Sequence, residues 1–404
     1  MAVGLSEPHG ILAVPGVRLS ACYAGIRKAA KPDLVLIELA QGSHVAATFT
    51  KNRFCAAPVL LAKKHLLKTS PRYLLINAGN ANAGTGKEGI QKAEQACAAL
   101  AATAGCKPAA ILPFSTGVIG EHLPVDKIET AIPVLLRGLA SDSWLDAARG
   151  IMTTDTVAKA VSRKLRLNGI EVVITGIAKG AGMICPDMAT LLGFIATDAA
   201  IPQPMLEKLH KQAVQQSFNC ITVDGDTSTN DSCVLMATGQ SGFALDKTAK
   251  AEREKFVQTL AEVYRLLAQA VVRDAEGATK FVAIRVQGGG SRNDCRKIAY
   301  AVAHSPLVKT ALFASDANWG RILAAAGRAG VALKTETVSL SVNGVVIFKK
   351  GLKSAAYTEE QGTRAMSAAE IEIVIDLGMG SVVQTVWTSD LSHEYVSINA
   401  DYRS

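Results

Sequence analysis

Apolar residues along the chain follow two spacings, one typical of β-strands and one of amphipathic helices. Seven short apolar runs predict strands, at 34–39, 73–77, 171–177, 281–287, 338–342, 345–349 and 371–377. Five longer stretches with helix-spaced apolar residues predict helices, at 86–104, 125–139, 204–218, 250–273 and 316–327. The pattern therefore indicates a mixed protein with helix and strand in comparable amounts.

The dipeptide Asn343-Gly344 lies between two of the predicted strands, 338–342 and 345–349. Both residues tolerate positive φ, so the dipeptide predicts a two-residue β-hairpin and hence antiparallel sheet near the C-terminus. Strands and helices do not alternate one to one along the chain, as a doubly wound parallel sheet would require. We therefore predict an α+β sandwich of layered sheets and helices.

Composition agrees with this picture. With 404 residues, of which 49% are hydrophobic and 19% charged, the chain has the make-up of a compact globular protein of two domains, or of one large domain with a partner lobe. No apolar run approaches the roughly 20 residues that span a bilayer. The N-terminus also lacks a basic stretch followed by an apolar core. We expect a cytoplasmic protein with no membrane partner.

The distribution of cysteine, histidine and charge limits the partners of the chain. Eight cysteines are scattered singly without a CxxC pair, and seven histidines are equally dispersed, so we expect reduced thiols, no metal site and no cofactor. The formal net charge of +8 is spread along the chain without interleaved aromatic residues, which argues against nucleic acid as a partner. The same charge would attract an anionic small molecule such as an amino-acid carboxylate.

Two glycine-containing segments suggest common motifs but match neither. Residues 77–87 connect a predicted strand to a predicted helix, where a phosphate-binding loop would lie. Lys87 is followed by Glu88, however, and position 81 is Ala, so the GxxxxGK[ST] spacing fails. We interpret this segment as a tight connection. The segment 239–242 does not match the GxSxG of serine hydrolases.

The segment 177–199 is the most unusual part of the chain. A strand-like run enters a glycine-broken loop that contains Lys179 and Pro186, and a new apolar run begins directly at Thr190. From composition alone this is a loop between two buried elements, since threonine is common where strands begin. Its letters, however, follow the pattern KG(A/S)GM-I-x-P-x-MATML with a later F-x-x-TDA, and only Leu191 replaces a Met.

This pattern resembles the signature of the ornithine acetyltransferases, also called glutamate N-acetyltransferases. The resemblance covers nearly the whole chain in ordered blocks, at 48–52, 77–83, 115–120, 152–156, 223–231, 275–281, 315–321 and 398–402. Ala275 stands where Gly is frequent and Ser404 where Thr is common, departures that bear on substrate fit rather than on the chemistry. The resemblance implies a self-cleaved, N-terminal-nucleophile-like fold of the DmpA/ArgJ type, with α/β/β/α layers of mixed sheets.

The resemblance also implies a reaction in arginine biosynthesis. The precursor would cut itself between Ala189 and Thr190 into an alpha chain, 1–189, and a beta chain, 190–404, which share one active site and form a heterotetramer of two alpha and two beta chains. Threonine is a poor nucleophile at neutral pH, but an N-terminal threonine carries its own base, the α-amine. Thr190 would then pass acetyl from N2-acetylornithine to glutamate through an acetyl ester, in a ping-pong mechanism.

By the same resemblance, several further residues acquire expected roles. Thr116 and Gly117, in a stretch that by itself reads as a glycine-containing turn, would form the oxyanion hole. The family's substrate-binding positions fall on Thr153, Lys179, Thr190, Glu276, Asn399 and Ser404. We expect Lys179 either to pair with a substrate carboxylate or to keep the Thr190 amine neutral by repulsion, and Glu276 to pair with an amine.

Three alternatives stay open. The enzyme would be bifunctional if it also took acetyl from acetyl-CoA to make N-acetylglutamate, with acetyl-CoA as a second donor. It would be an N-terminal-threonine amidohydrolase or aminopeptidase if water outcompeted glutamate for the acyl group. A non-enzymatic binding protein would show neither cleavage nor an acetyl-enzyme.

Overall fold

The computed structural model describes residues 2–28, 30–185 and 191–401. The strands within them are β1 (Val17–Cys22), β2 (Leu34–Leu39), β3 (His44–Phe49), β4 (Tyr73–Asn80), β5 (Ile111–Val118), β6 (Lys159–Leu167), β7 (Ile170–Lys179), β8 (Leu192–Thr197), β9 (Ser232–Ala237), β10 (Phe281–Gly289), β11 (Ser339–Val342), β12 (Val345–Lys349), β13 (Leu352–Lys353), β14 (Glu370–Asp376) and β15 (Val382–Ser389). The helices are α1 (Ala57–Leu66), α2 (Gly86–Ala104), α3 (Val125–Arg137), α4 (Trp144–Gly150), α5 (Gln203–Gln216), α6 (Lys250–Arg273), α7 (Arg292–Ala303), α8 (Pro306–Phe313), α9 (Trp319–Gly327), α10 (Glu359–Ser367) and α11 (His393–Ala400). No helix in these ranges has the length and apolarity needed to cross a bilayer.

The described residues form two compact units. The larger unit takes its residues from Glu7–Asn219 and Asp226–Val271. The smaller unit takes its residues from the described parts of Met1–Ser6, Cys220–Gly225 and Val272–Ser404. The units are therefore discontinuous in sequence, and their boundaries differ from those of the predicted chains 1–189 and 190–404.

Two sheets form the centre of the larger unit. The first has the strand order β1-β2-β4-β5, in which β4 and β5 are parallel and the other neighbours antiparallel. The second has the order β3-β9-β8-β7-β6, in which β8 and β9 are parallel and the other neighbours antiparallel. Both sheets are thus mixed, as predicted.

The main core of the larger unit lies between these two sheets. Alternate residues of β4, Leu74 and Ile76, are buried there with Phe114 of β5, and the second sheet contributes Phe194 of β8 and Val234 of β9. The rings of Phe114 and Phe194 meet edge to face with their centroids 5.1 Å apart. This pair joins β5, which carries Thr116 and Gly117, to β8, which begins two residues after Thr190.

Helices cover the outer faces of both sheets. On the first sheet, Leu75 of β4 packs in a second core with Leu100 of α2 and Ile128 of α3. On the second sheet, the ring Nε2 of His210 on α5 lies 3.0 Å from the hydroxyl oxygen of Thr48 on β3. The layers are therefore helix, sheet, sheet and helix, which confirms the predicted α+β sandwich.

The smaller unit contains a six-stranded mixed sheet in the order β13-β12-β11-β14-β10-β15. Ile284 of β10 and Ile373 of β14 form its core together with Ile298 of α7. The predicted hairpin is confirmed, because β11 and β12 pair antiparallel and the turn residues Asn343 and Gly344 have φ of 45° and 80°.

Candidate active site

The strands β7 and β8 form an antiparallel pair in which Lys179 lies opposite Leu192. The loop between them includes residues 186–190, so the predicted nucleophile Thr190 and its neighbour Ala189 lie outside the described residues, as does Ser404. Leu191, which is bonded to Thr190, is described and buried. The structure therefore describes the chain on both sides of the predicted cleavage point, up to residue 185 and again from Leu191.

Lys179 is a buried cation at the end of β7. Only 5% of the residue is exposed. Its ammonium donates a hydrogen bond to the hydroxyl oxygen of Thr153 at 2.7 Å and lies 3.7 Å from a carboxylate oxygen of Asp155. Two of the predicted substrate-binding residues, Thr153 and Lys179, are thus in direct contact.

Asp155 is the carboxylate at the centre of this cluster. It accepts hydrogen bonds from the ammonium of Lys159 at 2.6 Å, from the N–H of Gly180 at 2.7 Å and from the N–H of Thr153 at 2.9 Å. Burial alone would raise the pKa of Asp155, but the ammonium groups of Lys159 and Lys179 and the hydrogen bonds from Lys159 and Gly180 hold it well below its usual range. The side chain is therefore ionised and balances two buried cations.

Strand β5 ends at the residues predicted to form the oxyanion hole. Thr116 is buried, and Gly117 lies opposite Gly79 on β4. Gly117 has φ of 136°, and a Cβ there would lie 2.2 Å from the carbonyl carbon of Gly79, so only glycine fits. The interpretation of this stretch as a turn is wrong, because it is the irregular end of β5. The pairing of β5 with β4 shifts its register at Gly79 and Asn80 of β4.

The residues that precede β9 contact both of these regions. The side-chain amide of Asn230 donates to the carbonyl oxygens of Ala81 at 2.6 Å and Ser115 at 2.9 Å. A carboxyl oxygen of Asp231 accepts the N–H of Leu191 at 3.1 Å. One dipeptide thus connects the residue before Thr116 with the residue after Thr190.

The carboxyl group of Asp231 is completely buried, and its second oxygen, Oδ2, has no hydrogen-bond partner among the described residues. Burial raises the pKa of Asp231 well above its usual range. The Leu191 amide, the charge of Lys179 and the Ser228 hydroxyl act in the opposite direction but do not cancel this effect. Burial therefore favours the neutral form of this carboxyl.

Two further predicted residues meet within the smaller unit. The side-chain amide of Asn399 on α11 donates to a carboxylate oxygen of Glu276 at 2.8 Å and to the carbonyl of Tyr395 at 2.9 Å. Glu276 is buried. Because a carboxylate can accept several hydrogen bonds, Glu276 could accept one from an amine in addition to that from Asn399. Across the part of the chain that the structure describes, no group of three or more His, Cys, Asp or Glu side chains could hold a metal ion.

The sequence model of the ArgJ family matches residues 18–404. The chain belongs to the ArgJ family. It is similar to the arginine biosynthesis bifunctional protein ArgJ of Pseudomonas syringae pv. tomato, with 52% identity over 406 residues, and to that of Psychrobacter arcticus, with 53% identity over 407 residues. Each alignment covers 100% of both chains.

Two solved structures are also similar to this ArgJ-family chain. One is the arginine biosynthesis bifunctional protein of Bacillus halodurans, 35% identical, with a TM-score of 0.49 over 51% of this chain and 97% of that one. The other is the ornithine acetyltransferase of Mycobacterium tuberculosis complexed with ornithine, 29% identical, with a TM-score of 0.39 over 45% of this chain and 95% of that one.

Membership of the ArgJ family confirms the resemblance inferred from the sequence. It also confirms the prediction of an acetyl-transferring enzyme of arginine biosynthesis, of the glutamate N-acetyltransferase type. The roles of individual residues stay predictions.

Sequence interpretation missed four polar residues of this region, namely Asp155, Lys159, Asn230 and Asp231. Three of them lie in the blocks 152–156 and 223–231, which match the family, so a signal for them was present. Burial distinguishes these side chains from solvated surface groups, and the sequence does not show burial.

Proposed function

We propose that this ArgJ-family enzyme transfers acetyl from N2-acetylornithine to glutamate through an acetyl ester on Thr190. We further propose that Thr190 becomes N-terminal when the precursor cuts itself after Ala189. The sequence block 179–199 motivates the choice of nucleophile, since its pattern is the one in which the family carries this threonine.

One structural observation supports this choice most directly. The dipeptide Asn230–Asp231 contacts Ser115, next to Thr116, and also Leu191, next to Thr190. The proposed oxyanion residues and the proposed nucleophile are more than 70 positions apart in sequence. An acyl-transfer site requires its nucleophile and its oxyanion donors to be held in a fixed geometry. A dipeptide that binds the neighbours of both would contribute to that geometry.

Cleavage would proceed through the hydroxyl of Thr190. Its oxygen attacks the carbonyl carbon of Ala189, the C–N bond between the two residues breaks, and the nitrogen takes a proton to become the N-terminal amine of chain 190–404. Water then hydrolyses the ester, which leaves a carboxylate on Ala189 and restores the hydroxyl. The freed amine is the base that the hydroxyl lacked in the precursor.

Transfer would follow in two half-reactions. The amine takes the proton of the Thr190 hydroxyl as its oxygen attacks the acetyl carbon of N2-acetylornithine, and ornithine leaves with that proton. The amine of glutamate then attacks the acetyl ester, the C–O bond to Thr190 breaks, and the Thr190 amine passes the proton lost by the glutamate nitrogen to the Thr190 oxygen, giving N-acetylglutamate and free enzyme. Thr116 and Gly117 would stabilise the oxyanion of each tetrahedral intermediate, at about 2.7–4 kcal/mol per donor.

The remaining predicted residues would bind the substrates. The ammonium of Lys179, held beside Thr153 and Asp155, would face a substrate carboxylate or lower the pKa of the Thr190 amine by repulsion. Glu276, Asn399 and Ser404 complete the proposed set, with Glu276 as partner of the free amine of ornithine. We also propose a cytoplasmic heterotetramer of two alpha and two beta chains.

A second activity is suggested by the names of the relatives, which are called bifunctional. We propose that acetyl-CoA serves as a second acetyl donor for glutamate. The same acetyl ester would serve both donors, so Thr190 would be needed for both reactions. Loss of one activity with retention of the other in a Thr190 variant would contradict a common nucleophile.

The test is the intact mass of the denatured protein together with an acetyl-transfer assay. The 42.3 kDa chain should give fragments of about 20 and 22.5 kDa, the larger beginning at Thr190. After incubation with N2-acetylornithine alone, that fragment should gain about 42 Da as an acetyl ester. Ornithine release that continues unchanged without glutamate would instead indicate an amidohydrolase.

Two variants complete the test. Thr190→Ala should stay uncleaved, carry no acetyl group and transfer none. Thr197→Ala is the matched control, because it removes a buried threonine hydroxyl at the opposite end of the same strand β8 and should leave cleavage and transfer intact. A wild-type chain that stays whole yet transfers acetyl would contradict the N-terminal nucleophile.

A further inference from the structure

The backbone of Leu191, the residue directly after the proposed nucleophile, is fixed on both sides. Its N–H donates to Oδ1 of Asp231 at 3.1 Å, and its carbonyl oxygen accepts the N–H of Ser232 at 3.0 Å. These contacts follow from the parallel pairing of β8 and β9, in which Leu192 lies opposite Ser232. The carboxyl of Asp231 thus extends the ladder by one hydrogen bond towards position 190.

Asn230 makes the corresponding contact to the oxyanion strand. Its two amide hydrogens are used by the carbonyls of Ala81 and Ser115, and its Oδ1 accepts the hydroxyl of Thr229 at 2.6 Å. Ala81 follows β4 and Ser115 lies on β5, so a single side chain binds the ends of both parallel strands. The end of β5 is where Thr116 and Gly117 lie.

Asp231 has a feature that packing alone does not explain. Its Oδ2 is buried without a hydrogen-bond partner among the described residues, an arrangement that lowers stability and is rare in folded proteins. An apolar residue of similar size would avoid that loss but could not accept the N–H of Leu191. The carboxyl therefore lowers stability through Oδ2 while it holds the backbone of Leu191 through Oδ1.

We propose that Asn230 and Asp231 are positioning residues for acetyl transfer, which hold the oxyanion strand and the nucleophile strand in register through hydrogen bonds to Ser115 and Leu191. This inference rests on the proposed role of Thr190. Displacement of a reacting group by about 1 Å can cost on the order of a hundredfold in rate, so a small shift of either strand should be seen in kcat. Asp231 acts here as a hydrogen-bond acceptor through Oδ1, not as a base.

The experiment compares Asp231→Ala, Asp231→Asn and Asn230→Ala with wild type. The readouts are the rate of self-cleavage, and kcat and KM per cleaved chain for N2-acetylornithine. Both alanine variants should cleave more slowly and lose about tenfold or more in kcat, with KM nearly unchanged, because the misplaced groups act in the transition state. Asp231→Asn should stay within about threefold of wild type, since an amide oxygen also accepts the N–H of Leu191.

The matched control is Asp198→Ala. Asp198 follows the opposite end of β8, is buried, and accepts a backbone N–H, that of Val173, at 2.9 Å. It should lower the melting temperature without changing kcat per cleaved chain, which is what a purely structural carboxyl does. If Asp231→Ala behaved like Asp198→Ala, positioning by Asp231 would be ruled out.

Two other outcomes also decide the matter. Equal loss of kcat in Asp231→Asn and Asp231→Ala would overturn the acceptor role, because the amide preserves the hydrogen bond. Wild-type kcat in Asn230→Ala would overturn the role of that residue. Failure of the proposed function itself is distinguishable, since wild type would then show neither fragments nor an acetylated Thr190.

Discussion

Among single residues, Asp155 places a buried negative charge beside Lys179. Asp155 is within 3.7 Å of Lys179 and 2.6 Å of Lys159, and the side chains of Asp155 and Lys159 are fully buried. Both ammonium groups are buried beside this carboxylate. Buried positive charge would attract the carboxylates that the proposed substrates carry.

Removing that carboxylate should therefore be costly. We expect Asp155→Asn to lower the free energy of unfolding at pH 7 by about 3–5 kcal/mol, because two buried cations lose a carboxylate partner. The control is Glu171→Gln, which breaks the exposed pair with Lys164 and should change stability little. Urea denaturation of both variants provides the measurement, and equal losses would contradict the argument.

Asp155→Asn should also change how the free energy of unfolding depends on pH in acid. The pKa of Asp155 is lowered in the folded state, so its contribution is present above the unfolded-state pKa of about 3.9 and is lost as pH falls through the folded-state pKa. Stability of wild type should hence fall more steeply below about pH 4 than that of Asp155→Asn.

The same residues show the limits of sequence reasoning. Family blocks led to Thr153 and Lys179, which the structure joins by a hydrogen bond. Asp155 lies in one of those blocks and received no role, since in a sequence a buried aspartate looks like a solvated one. For Asp231, the decisive fact is a long-range contact with Leu191 created by the pairing of β8 and β9, and no local pattern encodes that pairing.

At the scale of elements, prediction succeeded best for long helices with regular apolar spacing, and it missed both long and short strands. Helices α2 and α6 begin and end at the predicted residues. The missed strands are β1, β3, β5, β6, β9, β13 and β15, and at β8 only an apolar run that begins at Thr190 was noted. In β5, the letters Ser-Thr-Gly read locally as a turn. The pairing of β5 with β4, which overrides this local preference, is decided by the buried sheet as a whole.

The contact between β4 and β5 gives a test at this scale. Gly117→Ala should prevent the strands from closing, because the new Cβ would lie 2.2 Å from the carbonyl carbon of Gly79. We expect loss of self-cleavage and a large loss of stability. Gly120→Ala is the control, since Gly120 also has positive φ, 88°, but has no atom within 4 Å of an added Cβ.

Measuring stability and cleavage in both glycine variants separates the effect of the close backbone contact at Gly117 from the effect of positive φ. Gly120→Ala should lose only the stability that a left-handed alanine costs, about 1–2 kcal/mol, and should still cleave itself. A Gly117→Ala enzyme that folded and cleaved like Gly120→Ala would show that the two backbones can separate without harm.

Across the whole molecule, the proposed cut would divide a continuous sheet. The five-stranded sheet takes β3, β6 and β7 from residues before the cut and β8 and β9 from residues after it. Two of its pairings, β7 with β8 and β3 with β9, join strands of different fragments. The core pair Phe114 and Phe194 also joins them. Neither fragment can bury its own strands alone, so we expect the fragments to stay together after cleavage.

This arrangement predicts how stability depends on protein concentration. Cleaved protein unfolds into twice as many chains as the uncleaved Thr190→Ala variant, whatever the number of copies in the assembly. Each tenfold dilution should therefore cost the cleaved form about 1.4 kcal/mol more for every additional chain released, whereas the contacts within the fold are the same in both. Urea midpoints followed by circular dichroism over a hundredfold concentration range would show a steeper dependence for wild type. Parallel curves would mean that unfolding of the cleaved protein releases no additional chain, and would contradict a cut through this sheet.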